Sequence, residues 1–373
     1  MSNQERNAIV YCQGAFNTPN GKTAHGLVRF SRRYRILCVV DSRYTGLDAG
    51  LVLDGRPASI PIHQSVETAV AAFRHQEQRP THLVVGLAPD GGRLTQPNRQ
   101  DIKKAIEMGL NVVSGLHDFL SEDPEILELS ARHRVTLNDI RKPPPRNELH
   151  FFSSKIESVD CLKIAILGTD SAIGKRTTAW LITQGLERAG YRCEMVGTGQ
   201  TAWMQGARYS IILDSLVNDF VSGEIEHAVW SAWKEQNPDV VVIEGQGSLM
   251  NPAYPGGFEI LAAGRPDIII LQHAPARREY DGFPGYALHP PFRQIQAIET
   301  ISDKPVVAIT LNHENIDPKK IDLACTRLEK ETGLPVFDIL KNGPDSLVTL
   351  LKPYIKSPGK SKKSPGQGVE NDK

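Results

Sequence analysis

An α/β protein with two parallel-sheet domains is the fold class predicted by three features of this 373-residue chain. Short apolar runs alternate with helix-like stretches in both halves. A proline-rich interruption separates the halves, and in the second half one apolar run passes directly into a glycine-lysine loop that opens a helical pattern. Buried-type strands alternating with helices give a parallel sheet covered on both faces. The length exceeds what a single ordinary core organises.

In residues 1–146 the strand-type runs are Ala8–Cys12, Arg35–Val40, Thr81–Leu87 and Asn111–Ser114. Helical patterns cover Val66–Gln76, Asn98–Met108 and Pro124–Arg132, with Gly109 as a helix stop. Val39-Val40-Asp41-Ser42 reads as a strand ending in an acidic residue, and Gly86–Gly92 as a glycine turn after a strand. A dinucleotide fingerprint is missing, so no NAD site is inferred there. Arg141-Lys-Pro-Pro-Pro-Arg146 can neither continue a helix nor pair inside a sheet, and reads as a stiff linker or domain edge.

The second domain is expected over residues 147–356. Its strand-type runs are Leu162–Leu167, Arg192–Val196, Asp239–Ile243, Asp267–Leu271 and Pro305–Thr310, and its helical patterns are Lys175–Ala189, Glu224–Lys234, Phe292–Ile301 and Pro318–Lys330. Gly190 and Gly333 stand where helix stops belong. Residues 357–373 are Lys, Ser, Pro and Gly with almost no apolar side chain, which predicts a disordered tail.

Lys plus Arg equals Asp plus Glu, 43 of each, so bulk attraction to nucleic acid or to an anionic membrane is not expected. No apolar run has membrane-spanning length. Cys12, Cys38, Cys161, Cys193 and Cys325 are scattered singly without zinc or redox spacing, as suits core residues in a reducing compartment. A cytoplasmic location is expected.

Gly168-Thr-Asp-Ser-Ala-Ile-Gly-Lys-Arg-Thr-Thr178 follows the strand Leu162–Leu167 and precedes a helical pattern, the context a phosphate-binding loop requires. Gly168 and Gly174 let the backbone approach an anion, the helix start offers unpaired N–H groups, and Lys175 adds a charge. The common pattern puts Ser or Thr directly after the lysine to hold Mg²⁺. Here Arg176 stands there, with Thr177 and Thr178 behind it, and a guanidinium cannot ligate a cation. The expected cofactor contacts are Gly168, Asp170, Gly174, Lys175, Arg176, Thr177 and Thr178, with no metal ligand assigned.

Val240–Ile243 ends in Glu244-Gly-Gln-Gly-Ser248, a carboxylate and two glycines at a strand's carboxyl end, where open α/β sheets bind ligands. Gly197–Thr201 and Leu271–His273 follow two further strands and should reach the same rim. Glu244 is the first candidate base and His273 the second. Gln200, Asp214, Arg277 and Arg278 are candidate substrate contacts, the arginines as carboxylate clamps. Asp214 and Asp219 fit helix capping equally well.

Two resemblances rest on these motifs. Gly168–Lys175 and Glu244-Gly resemble the phosphate loop and strand end of dethiobiotin synthetase. Gly115-Leu-His-Asp-Phe119, Asp139-Ile-Arg-Lys-Pro-Pro144, Gly174–Thr178, Gly197-Thr-Gly-Gln-Thr-Ala-Trp-Met-Gln-Gly206 and Glu244–Ser248 resemble the DgcN-type D-glutamate N-acetyltransferase family, over nearly the whole chain. That resemblance implies a Rossmann-like N-terminal domain, a P-loop-like C-terminal domain, and acetyl transfer from acetyl-CoA to the amine of a D-amino acid, D-glutamate first. Coenzyme A phosphates suit a Lys/Arg/Thr loop without obligatory Mg²⁺. The alternatives are an ATP- and Mg²⁺-dependent ligase or kinase of the dethiobiotin synthetase kind, and a non-catalytic nucleotide-binding switch. A homo-oligomer is the general expectation for such an enzyme.

Overall fold

The computed structural model describes residues 6–356; the tail expected at residues 357–373 lies outside them. Thirteen strands are seen among the described residues: β1 (Asn7–Tyr11), β2 (Arg35–Val40), β3 (Ile62–His63), β4 (His82–Val85), β5 (Asn111–Ser114), β6 (Leu137–Asp139), β7 (Leu162–Gly168), β8 (Cys193–Gly197), β9 (Tyr209–Ser210), β10 (Val240–Glu244), β11 (Ile268–His273), β12 (Val306–Leu311) and β13 (Val336–Phe337). The chain divides into two compact units. One contains the described residues up to Phe152 together with Val196–Ala228, and the other Ser153–Met195 together with the described residues from Val229 onward.

The first unit holds a six-stranded sheet in the order β3-β2-β1-β4-β5-β6, and its pairings are parallel. The order reverses between β1 and β4, as in a doubly wound Rossmann-type sheet. All five residues of β1 are buried, so it reads as an unbroken apolar run rather than an alternating one. The covering helices start where side chains cap them. Asp48 accepts the amides of Gly50 and Leu51, Ser65 and Thr68 form a capping box, and Asp123 caps a helix that begins at Pro124.

The second sheet has the order β13-β12-β11-β7-β10-β8-β9. Strand β7 lies between β11 and β10, in parallel register with both, so that Gln272 pairs with Gly168 and Glu244 with Ile166. The carboxyl ends of β7, β10 and β11 therefore form one rim. No helix among the described residues is long and apolar enough to cross a membrane.

Most of the expected elements fall within a few residues of the sequence reading; the strands β3, β6, β9 and β13 and the helices Ala49–Asp54, Ile339–Asn342 and Asp345–Leu351 were not expected, and three further helices depart from it. Lys22–Arg29 and Gln200–Gln205 were not expected; the first has no side-chain cap and contains a glycine, and the second is six residues between Gly199 and Gly206. The helix expected at Glu224 begins earlier and spans Asn218–Gln236. Gly223 sits inside it because a Cβ there would stand 1.9 Å from the His150 carbonyl oxygen. The glycine permits a close crossing rather than marking a break. Within the 141–146 segment the backbone is irregular, as expected, while Arg141 itself is buried.

Candidate active site

The loop after β7 is shaped by close packing around two glycines. A Cβ on Gly168 would meet Ile173 Cδ1 at 2.8 Å and Lys175 Cδ at 3.0 Å. Gly174 has φ of 99°, a conformation that glycine alone adopts readily. Ala172 holds a left-handed φ of 49° inside the loop, a position that costs a non-glycine residue about 1 kcal/mol or more. Lys175 is the first residue of the helix Lys175–Arg188, and its ammonium donates to the carbonyls of Asp170 at 2.6 Å and Gly247 at 2.7 Å. Burial pulls its pKa down to about 8, while Asp170 and Glu244 act in the opposite direction. At neutral pH it still carries its charge.

Asp170, expected among the cofactor contacts, is fully buried and its carboxylate is bound within the protein. Oδ1 accepts from Asn251 Nδ2 at 2.9 Å and from the Ser171 amide; Oδ2 accepts from Arg277 Nη1 at 2.9 Å and the Asp281 amide at 3.0 Å. Arg277 also donates to the carbonyls of Ser171 and Ala172 and reaches Glu314. Its guanidinium thus clamps the loop rather than standing open at the rim. Asn312 ties the same loop from the other side, donating to the Ile173 carbonyl at 3.1 Å.

On the rim, Glu244 is buried, close enough to Lys175 for the two charges to influence one another. Gly245 follows because a Cβ there would lie 2.2 Å from the Ile166 carbonyl, and Gly247 because φ is 47° and the Tyr254 carbonyl would be 2.0 Å away. His273 is buried, its Nδ1 hydrogen-bonded to the Thr169 hydroxyl at 2.9 Å, and burial pulls its pKa down to about 4. It is neutral at physiological pH and a weak proton acceptor.

Lys175, Glu244 and His273 thus come together with the loop. Arg176 and Thr177 are half-buried at the helix start. Thr178 faces inward, where its hydroxyl and that of Thr310 each donate to Gln272 Oε1 at 2.5 Å. Arg278 is exposed. Gln200 and Asp214 belong to the first unit. Asp214 is ion-paired to Arg141, and Asp219 lies in the first turn of the helix Asn218–Gln236. The sequence reading missed Asn251 and Gln272. Gln272 was legible as a polar residue within an apolar strand end, whereas nothing in its own surroundings marks Asn251. Among the described residues no group of three or more His, Cys, Asp or Glu side chains is placed to hold a metal ion.

A parallel sheet whose central strand opens into a braced glycine-lysine loop, in a chain that also contains a second parallel α/β unit, defines a P-loop protein with a Rossmann-type domain. The family models agree. Residues 150–348 match the P-loop domain, and residues 42–143 the Rossmann-like domain, of the DUF1611 family, described as a domain of unknown function. A D-glutamate N-acetyltransferase from a Pseudoalteromonas species is 32% identical over 279 residues, which is 72% of this chain and 80% of that protein. Another from Tritonibacter scottomollicae is 28% identical over 278 residues, with the same shares covered. The crystal structure of a DUF1611 family protein from Anabaena variabilis superposes with a TM-score of 0.85 at 28% identity, covering 94% of this chain and all of that one. The chain belongs to the DUF1611 family. It is an enzyme of the acyltransferase class, an N-acetyltransferase.

Proposed function

We propose that this enzyme acetylates the α-amine of a D-amino acid, D-glutamate being the first candidate, and that acetyl-CoA is the donor. The two relatives named D-glutamate N-acetyltransferase support the acetyl transfer and the acceptor. The observation that carries the donor assignment is the seat of Lys175. A buried ammonium is pinned by the Asp170 and Gly247 carbonyls at the start of a helix, and Arg176 rather than a hydroxyl residue follows it. Cations and backbone amides then meet phosphate directly, a task that does not require Mg²⁺.

Gly168, Gly174, Lys175, Arg176 and Thr177 would hold the phosphates of coenzyme A. Asp170 and Thr178 act one step back, the first by fixing the loop through Arg277 and Asn251, the second by fixing Gln272. Bound acetyl-CoA supplies an activated thioester. The acceptor is an ammonium ion in water and must lose a proton to become nucleophilic. Glu244 is assigned as the base, because it offers a carboxylate at the strand end beside Lys175, whereas His273 is buried with its Nδ1 engaged by the Thr169 hydroxyl. Arg278, exposed and beyond the clamp made by Arg277, is assigned to an acceptor carboxylate.

The test mixes purified protein with acetyl-CoA and D-glutamate and follows free thiol, with a parallel Mg-ATP arm read for ADP. Thiol release that depends on the D-amino acid is expected; amino-acid-dependent ADP would replace this reading with the ligase or kinase one. Glu244→Gln should lower turnover about 100-fold or more while coenzyme A affinity is retained. Full turnover in that variant removes Glu244 as the base.

A further inference from the structure

We infer that the first unit carries its own binding site for the head group of a free α-amino acid, built from Arg141 and Asp214. Strands β5 and β6 are parallel neighbours whose last residues, Ser114 and Asp139, pair in register. Asp139 accepts the amides of Leu120 at 3.0 Å and Ser121 at 2.9 Å, which folds the chain leaving β5 back across the end of β6. Arg141, two residues past β6, turns inward and is only 8% exposed. Its Nε donates to the Gly115 carbonyl at 2.6 Å, and its Nη1 is ion-paired to Asp214.

A guanidinium has five N–H donors. Among the described residues the polar partners of Arg141 are the Gly115 carbonyl and Asp214, and Nη1 is closed off from solvent without a well-aligned hydrogen bond. Donors in excess of acceptors on a buried cation mark a place built to receive an acceptor group. The two members of the pair are also unequal. The Arg141 side chain is 10% exposed and the Asp214 side chain 52%, so a largely enclosed cation is paired with a solvent-facing carboxylate. Gly115 keeps the turn thin, since a Cβ there would meet Gln200 Cγ at 2.7 Å and Met204 Cε at 3.1 Å. The position, outside the carboxyl ends of parallel strands, is where doubly wound sheets bind ligands.

The occupant follows from the charges. A planar guanidinium fork matches a carboxylate bidentately. A carboxylate beside it matches an ammonium. A zwitterionic amino acid presents both on adjacent atoms, whereas a simple dicarboxylate would meet repulsion from Asp214. The assignment rests on the proposed reading only in taking D-glutamate as the probe.

Calorimetric titration of the full chain with D-glutamate, L-glutamate and N-acetyl-D-glutamate tests the site. Asp214→Asn, at a half-exposed position, should weaken D-glutamate about 10-fold and leave N-acetyl-D-glutamate, which has no ammonium and is relieved of repulsion, no weaker than before. Arg141→Lys keeps the charge but loses the fork, and should weaken both ligands about 10-fold or more. Coenzyme A affinity should be unchanged in each, and thermal melts establish that the variants are folded. Wild-type D-glutamate affinity in both folded variants overturns the site, as does the lack of any amino-acid binding by the wild-type protein. The two readings fail separately. Arg141-dependent binding without thiol release leaves this site standing and removes the transferase reading. Thiol release together with wild-type calorimetric affinity for D-glutamate in both folded variants does the reverse.

Discussion

The first turns of the two units start alike and end differently. In the first unit β1 leads through a loop to Gly21-Lys22-Thr23 at the start of the helix Lys22–Arg29; in the second β7 leads to Gly174-Lys175-Arg176-Thr177. Lys175 is buried and held by two loop carbonyls, whereas Lys22 is exposed. Gly174 is left-handed at φ 99°, while Gly21 has φ of −96° and is a glycine because a Cβ would meet the Ala15 carbonyl at 2.6 Å. Thr23 is buried, its hydroxyl 2.9 Å from that of Thr201. A glycine-lysine pair at a helix start therefore does not make a phosphate loop. The lysine must be turned back into the concavity, and a carboxylate braced from several sides has to shape that concavity.

Removing each lysine breaks the comparison most directly. Lys175→Ala should reduce kcat/KM for acetyl-CoA about 100-fold or more, since a charge-assisted contact to phosphate is lost in a buried setting. Lys22→Ala should change it less than about twofold, as expected for an exposed side chain outside the second unit's loop. Thiol-release kinetics on both variants decide it, and equal losses would mean that the first loop also grips the donor.

The braces differ as the lysines do. Asp170 and Arg277 are both largely shielded, with Arg277 17% exposed, and Asp170→Asn leaves that guanidinium only the half-exposed carboxylates of Asp281 and Glu314, at a cost of about 3 kcal/mol. Asp41 plays the corresponding part in the first loop. It accepts the Phe16 amide at 2.8 Å and pairs with Arg43, whose side chain is 39% exposed. Burial raises the Asp41 pKa, but Arg43 and the amides of Arg43 and Phe16 outweigh it, so the net shift is downward. Because Arg43 is solvated, Asp41→Asn should cost less, about 1–2 kcal/mol. Urea midpoints of both variants measure the difference, and a larger loss at Asp41 would reverse the ranking. The Asp41 contribution is present above the ordinary carboxylate range and disappears as pH falls through its lowered value.

How much of this was legible beforehand depends on the distance over which each residue acts. The loop, Glu244 and His273 were readable because strand, turn and helix signals are local, and strand ends in a parallel sheet share a rim. The DgcN-type family resemblance extended that reading to both domains. Asp170 as a brace was not readable, since its partners Asn251, Arg277 and Asp281 are 81 to 111 residues away. Arg141 was hidden by the prolines behind it, which dominate any local reading although the side chain points inward. Gly223 and Gly21 are demanded by a neighbour's carbonyl, His150 and Ala15 respectively, a requirement that no local sequence pattern reports.

The smallest expected effect is a pH dependence, and it distinguishes the two lysines without changing the shape of either loop. Lys175 has a folded-state pKa near 8, lowered by burial from an ordinary 10.5. Between those values the unfolded chain binds more protons at this position than the folded one, so the stability of the ligand-free protein should rise as pH rises through that window. Phosphate binding needs the charged form, so donor affinity should fall over the same window, by up to about tenfold per pH unit at its steepest. Two opposed slopes from one group are hard to produce by any general effect of alkali. Lys175→Met should flatten both, whereas Lys22→Met should leave both intact. Coenzyme A titrations and thermal melts from pH 7 to 10 supply the measurements. A donor affinity that stays level across that range would mean that Lys175 keeps its proton, and that the Asp170 and Glu244 carboxylates outweigh its burial.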